Sequence, residues 1–395
     1  MTNSVKPLIG AIQHYAWGGK RFIPELIQMP NPSKQSFAEL WMGTHYKGPA
    51  IIINGENQQQ ELKEYISNQP EILGDKIIQN FGVQLPFLFK ILDVNAMLSI
   101  QSHPTKKQAE IGFKRENEAG IPADASYRNY KDNNHKPELM VALSDFWLLH
   151  GFQEEDQIDQ ILKEVPEFHS LLPFFVDRSI PQLYRVIMEM PQTKVNALLE
   201  PLKKRLESSN LSKNQAEFWA LKAFKEHTTA DGNYDRGIFS IFLFNLVFLQ
   251  KGEGIFQDAG IPHAYLEGVN VELMANSDNV FRGGLTVKHV DVPELMANLV
   301  FDPIHPKVIR GQPLSTTETY YPTPAPDFAL SQIKLTANQK HLETPSSAQI
   351  VIVIEGEVKI GQQLFEKGKI FFAAAGSTYE ISTPSHATLF KAFVS

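Results

Sequence analysis

The alternation of apolar and polar positions divides the chain into three textures. Up to about residue 150 the pattern is mixed. Short apolar runs at 50–53 and 98–101 read as strands, 60–69 reads as a helix, and turn residues interrupt often. From about 152 to 232 the period changes. Segments 157–165, 180–190, 193–208 and 212–227 carry apolar residues at helical spacing with few glycines. From near Gly237 to the C-terminus, β-branched runs punctuated by glycine predict a strand-rich segment.

The tail adds an internal similarity. Residues 349–355 read QIVIVIE, followed by Gly356, EVKI and Gly361, which predicts a short hairpin. The next stretch, KGKIFFAAAGSTYEI at 367–381, compares with KGEGIFQDAGIPHAY at 251–265. Both open Lys-Gly, enclose an apolar strand and place a second glycine at the same spacing. Two jelly-roll β-sandwiches explain such a repeat. His263 in the first copy aligns with Tyr379 in the second. The C-terminal unit is therefore expected to be a β-sandwich without a metal, with no ligand cluster near Tyr379.

Composition narrows the function classes. Of 395 residues, 43% are hydrophobic, and no apolar run approaches the ~20 residues that span a bilayer. The first twenty residues show no basic segment leading into an apolar core, so a cytoplasmic chain away from membranes is expected. There is no cysteine, which excludes disulfides and thiolate metal sites. The net charge of -7 argues against nucleic acid as a partner and leaves any anionic ligand to a few local cations.

Three clusters offer chemistry. In LSIQSHP at 98–104, Gln101 and His103 lie two apart, so on a strand both project from one face as nitrogen and oxygen donors. A polar pair at a strand end is the plainer reading. In YKDNNHKPE at 130–138, Lys136 and Glu138 share that spacing, although Pro137 interrupts a regular ladder. A solvated turn before a strand is the alternative. The third, longest cluster runs from His263 to Gly284. Within it Glu272 stands on an otherwise apolar strand, where a carboxylate is costly unless paired or used, and Arg282 is the candidate partner. A structural ion pair and a catalytic role both remain open there. His14, His45, His150 and His289 read as structural histidines.

Together these segments resemble the type I mannose-6-phosphate isomerases. YKDNNHKPE at 130–138 is similar to the first family signature and HAYLEGVNVELMANSDNVFRGGLTVK at 263–288 to the second. YAWG at 15–18, AELWMGTH at 38–45, LPFLFK at 85–90 and LSIQSHP at 98–104 extend the match. Four places depart from the family, one of them Asn95-Ala96-Met97 ahead of Leu98, where a basic residue is often found. Gly283 stands where alanine is usual, Val287 replaces proline, and Tyr46 occupies another common proline position.

The resemblance implies a mainly β fold of tandem cupin-type jelly-roll β-sandwiches with an inserted α-helical domain. Residues 1–150 and 236–305 would form the catalytic unit, 151–235 the helical insert, and 306–395 a degenerate C-terminal unit. It implies one zinc ion (Zn2+) per chain, held by Gln101, His103, Glu138 and His263. It also implies a sugar phosphate as substrate, with mannose 6-phosphate and fructose 6-phosphate interconverted through an enediol or enediolate. Such a reaction needs a group that takes and returns a proton, and positive charge for the developing oxyanion. Glu272, Asp278 and His135 are candidates for the proton transfer. Lys136, Arg282 and, less directly, Lys288 are candidates for the phosphate or the oxyanion. Another cupin enzyme, an epimerase or an oxygenase, and a non-catalytic sugar-binding protein are the rival readings.

Overall fold

The structure, a computed structural model, describes residues 5–55 and 58–395. It is mainly β, built around two large antiparallel sheets of eleven and twelve strands. At the centre of the first, Phe87–Val94, His263–Ala275 and Glu138–Ala142 run side by side. Alternation along His263–Ala275 sends Val269, Val271 and Leu273 to one face. There they join Phe87, Phe89 and Val141 and meet Ile350, Ile352 and Phe390 of the second sheet in a shared core. The opposite face closes over an interior of Leu92, Met140, Leu148, Ile255 and Tyr265. Polar residues occur on that inner face: Glu39, Lys90, Glu138 and Glu272 are all buried.

Strand register relates the two halves residue by residue. Gln257 lies opposite Glu138 as Ala373 lies opposite Gln349. Glu272 lies opposite Met140 and Lys90, as Lys391 lies opposite Val351 and Ser331. Glu39 faces Leu92 as Glu318 faces Ile333. His263 pairs with Gln101 as Tyr379 pairs with Glu343. The second interior core, with Ile333, Val351, Ile360, Phe371 and Ile381, repeats the first. The aligned glycines share a backbone need as well. Gly252 and Gly368 have φ of 91° and 81°, and Gly260 and Gly376 have φ of 78° and 73°, a region that side-chain-bearing residues avoid.

The helices enter at one hairpin. Phe152 still pairs with Phe244, and between them run Glu155–Glu164, Ile180–Glu189, Gln192–Glu207, Ala216–Glu226 and Gly237–Leu243. In the second half the corresponding hairpin, Gln349–Ile360 with Gln363–Glu366, closes through Gly361 and Gln362 alone. The helices' apolar faces pack on Trp147, Leu149, Phe152 and Phe281 of the first half.

Three sequence expectations shift. Gly237–Leu243 is a helix and not the first strand of the last segment; all seven of its residues are buried, so it shows no amphipathic period. The 349–360 run is one strand that passes through Gly356, and its hairpin turn is at Gly361. The partition by sequence also breaks at the start of the chain. Val5–Ile9 pairs with Ile370–Ala373, and Ile51–Asn54 extends that edge, so these early strands belong to the C-terminal sheet. Ile309–Arg310 returns the exchange by pairing with Glu253–Gln257.

Candidate metal centre

Three strand ends converge on the inner face of the first half. Pairing of His263 with Gln101 sets two of the expected ligands side by side. His103 follows Ile100–Ser102 directly, and Glu138 opens the central strand Glu138–Ala142. The Nε2 atoms of His103 and His263 each lie 3.4 Å from a Glu138 carboxylate oxygen. His103 is fully buried, and Glu138 and His263 nearly so.

Both rings are oriented from behind. Nδ1 of His103 lies 2.8 Å from the Asn279 carbonyl, and Nδ1 of His263 lies 2.9 Å from the Ile261 carbonyl. A carbonyl can only accept, so each Nδ1 carries the proton and each Nε2 presents a lone pair to the centre. The His103 Nε2 is buried and has no hydrogen-bond partner. Burial, with Lys136 nearby, lowers the His103 pKa to about 4, so the ring is neutral at physiological pH. Burial alone would raise the Glu138 carboxyl. Lys136 and the two imidazoles outweigh it and hold Glu138 well below the usual carboxylate range. A neutral His103 ring beside an ionised carboxylate is the state a divalent metal requires. Gln101, expected as the fourth ligand, lines the same cavity as Glu138 and His263, and its neutral amide is a donor type that zinc accepts.

The two signature segments are tied together to hold this geometry. The Asn279 side chain accepts from the backbone N–H of Lys131 at 2.7 Å and donates to the Asn134 carbonyl at 2.9 Å. Asp132 accepts from Ser277 Oγ at 2.8 Å and from the Asp278 N–H at 2.7 Å.

The other expected residues separate. Lys136 Nζ lies 3.1 Å from Glu138, as their spacing predicted. Glu272 joins three of the expected ligands, Gln101, Glu138 and His263, in lining a cavity of about 80 Å³. Its ionic partner is Lys90 at 3.1 Å and not Arg282, so the expected Glu272–Arg282 pair does not form. Burial pushes the Glu272 carboxyl up, against the opposing pull of Lys90. Arg282 sits beside Gln101 in the sheet, and burial alone lowers its pKa. Lys288 is lowered by burial and by Arg282, Lys131 and Lys47, which marks a gathering of cations.

Asp278 lies in the wall of a separate cavity of about 290 Å³, together with His45, Tyr46 and Lys131. Lys47 at 2.7 Å, Tyr46 at 3.0 Å and His45 at 3.3 Å surround its carboxylate. Burial alone would raise it, but bonds from His45 and Lys47 hold it far below the usual range. His135 lines neither cavity; its Nε2 lies 2.9 Å from Asp327 of the C-terminal half.

Sequence reasoning missed Lys90 and Glu39. Lys90 Nζ sits between Glu272 and Glu39, at 3.1 Å and 3.6 Å, and the Trp41 indole N–H donates to Glu39. Burial pushes the Lys90 ammonium down, and the facing carboxylates more than reverse it, so Lys90 remains charged. The available signal was a lysine on the otherwise apolar run FLFKIL, as informative as the carboxylate at Glu272. His150 was read as structural, yet it pairs across the sheet with His263, and burial, with His263 nearby, lowers its pKa to about 3.

Known proteins with this combination of sequence and fold are consistent in kind. The model of the phosphomannose isomerase type I catalytic domain matches residues 5–155. Mannose-6-phosphate isomerase of Escherichia coli K12 is 38% identical over 400 residues, covering 98% of this chain and 99% of that protein. The Homo sapiens protein of the same name is 32% identical over 426 residues, covering 98% of each chain. The crystal structure of mannose 6-phosphate isomerase from Salmonella typhimurium, bound to substrate and a zinc atom, superposes with a TM-score of 0.88. That match has 37% identity and covers 99% of both chains. By full-length identity and by fold, the chain belongs to the type I mannose-6-phosphate isomerase family.

Proposed function

We propose that this chain is a zinc-dependent isomerase that interconverts mannose 6-phosphate and fructose 6-phosphate, with Gln101, His103, Glu138 and His263 as the ligands. The observation that carries the reading is the fixed pair of imidazoles, each with Nδ1 tied to a carbonyl and Nε2 turned to Glu138. Zinc, when bound, supplies a Lewis acid for the substrate oxygens beside the exchanging carbons.

The chain's own groups supply the rest. Isomerisation moves a proton between C1 and C2 of the open-chain sugar while the carbonyl moves the other way. Glu272 is the proton-transfer group. It lines the same cavity as Gln101, Glu138 and His263, and its raised carboxyl is a better base than an ordinary glutamate. Asp278 is too strongly held by cations to accept a proton, and His135 is turned to Asp327. Lys90 and Lys136 place two ammonium groups at the cavity wall, where they offset enediolate charge. Arg282, Lys288 and Lys131 share their surroundings and take the phosphate, a dianion that relieves their mutual repulsion.

In architectural terms the two halves are cupin-type jelly-roll units in tandem, with the helical segment inserted in the first. The repeated register supports this, with the insert running to Leu243 and the first strands contributed to the second unit. The test is a coupled assay with mannose 6-phosphate, with and without a chelator, beside zinc content. Turnover should vanish on chelation and return with zinc, and His263→Ala should lose both. Full zinc occupancy and normal turnover in His263→Ala would overturn the ligand assignment.

A further inference from the structure

A second, largely buried cluster lies in the C-terminal half, where the sequence led us to expect none. One ligand atom from each of Glu318, His341 and Glu343 falls within 4.8 Å of the others. Glu318 comes from a strand well before the Lys340–Glu343 strand, so no short motif announces the group. The His341 Nδ1 lies 2.9 Å from Thr317 Oγ1. Its Nε2 faces Glu343 at 3.2 Å and Glu318 at 3.7 Å. His103 and His263 stand to Glu138 in the same way, with one ring nitrogen tied and the other turned to a carboxylate.

The location is the counterpart of the metal centre. By register Glu318 stands for Glu39, Glu343 for Gln101, Gln349 for Glu138, Tyr379 for His263 and Lys391 for Glu272. The exchange of Glu272 for Lys391 inverts the charge at that point. Lys391 Nζ lies 2.8 Å from Glu318 and 2.5 Å from Glu343, and the residue is 3% exposed. Tyr379 donates to Gln349 at 2.7 Å, and Gln349 donates to Glu343 at 3.2 Å. The position of the lost histidine is thus filled by hydrogen bonds.

We propose that the C-terminal half retains a latent divalent-cation site, formed by Glu318, His341 and Glu343, which the Lys391 ammonium keeps closed. An ammonium is a compact point charge with three donors, able to satisfy two carboxylates at once. A divalent ion entering beside it meets like charge in a poorly screened interior. Remove the ammonium and two buried carboxylates lose their counter-charge, a condition that a cation relieves. Two carboxylates and an imidazole suit zinc or manganese.

The experiment uses the full chain and counts metal. Wild type and Lys391→Met are equilibrated with zinc, freed of excess and analysed for metal per chain, with thermal unfolding followed with and without chelator. Lys391→Met should hold one zinc more than wild type, and its melting temperature should respond more strongly to zinc. Lys391→Arg, which keeps a cation in place, should match wild type in metal count. The triple variant Lys391→Met, Glu318→Gln, Glu343→Gln removes the charge imbalance and should fold without the extra ion. Because the readout is a difference between variants, it stands whether or not the first half holds zinc as proposed. An unchanged metal count in folded Lys391→Met would overturn the proposal. So would a Lys391→Met chain that zinc fails to rescue while the triple variant folds. Extra zinc in the wild type that disappears in His341→Ala would also overturn it, because the site would then be open.

Discussion

Glu272 shows how burial and charge oppose each other at a single residue. Its carboxylate is nearly enclosed, and its ionic partner Lys90 is shared with Glu39. Desolvation raises the carboxyl while Lys90 opposes it, and the net result is upward. Asp278 sits at the other extreme, surrounded by Lys47, His45 and Tyr46. Glu272→Gln keeps shape and removes the proton acceptor. It should lower kcat by about 10²–10⁴-fold, the usual span for a lost general base. Lys90 retains Glu39, so the melting temperature should move little. Asp278→Asn should keep most of the turnover and its pH profile. Steady-state kinetics over a pH range separates the two, and loss of the acid limb in Asp278→Asn alone would exchange the assignments. Glu272 was legible as a charged residue on an apolar strand. Its partner was not, because Lys90 and Glu272 meet only through strand pairing across 182 residues.

A helix beside the candidate metal centre anchors the loop that opens the first signature segment. Lys106–Glu118 starts three residues after His103 and is opened by a capping box: the Thr105 hydroxyl accepts from Gln108 N–H at 3.2 Å, and the Gln108 side chain accepts from Thr105 N–H at 2.8 Å. Near its end, buried Glu116 accepts the backbone N–H groups of Asn129 and Tyr130 at 3.2 Å and 2.9 Å. The helix thereby anchors the loop that leads to Lys136 and Glu138. Thr105→Ala should cost about 1 kcal/mol of unfolding free energy, the usual value of an N-cap. Zinc content should stay at the wild-type level, because the Asn279 and Asp132 bonds independently hold the ligand segments. Denaturant unfolding beside metal analysis checks both parts; loss of zinc in a folded Thr105→Ala would show that the helix, not those bonds, sets the ligand geometry. Amphipathic helices such as Ile180–Glu189 were legible from spacing because one face stays wet. Gly237–Leu243 was not, since burial on every side erases the period.

For the whole molecule, the repeat seen in two glycine-framed segments extends across both halves, but through register and not through identity. Leu92 becomes Ile333, Met140 becomes Val351 and Tyr265 becomes Ile381. Such exchanges keep each position buried while changing the side chain, and so leave little for sequence comparison to detect. The halves are also interlocked. Val5–Ile9 pairs with the C-terminal sheet, Ile309–Arg310 pairs with the N-terminal one, and Val271, Leu273, Ile350 and Phe390 share one core. Unfolding either half alone would expose that shared apolar face, at roughly 25 cal/mol for each Å² uncovered. Strands lent by one half to the other would lose their partners at the same time. The chain should therefore unfold in a single calorimetric transition despite its tandem construction. The proposed zinc ligands come together only in the folded chain, so chelation should lower the temperature of that transition without splitting it. Scanning calorimetry with and without chelator makes the measurement; two resolved transitions, one insensitive to zinc, would mean that the halves are energetically independent and that the exchanged strands contribute little to their coupling.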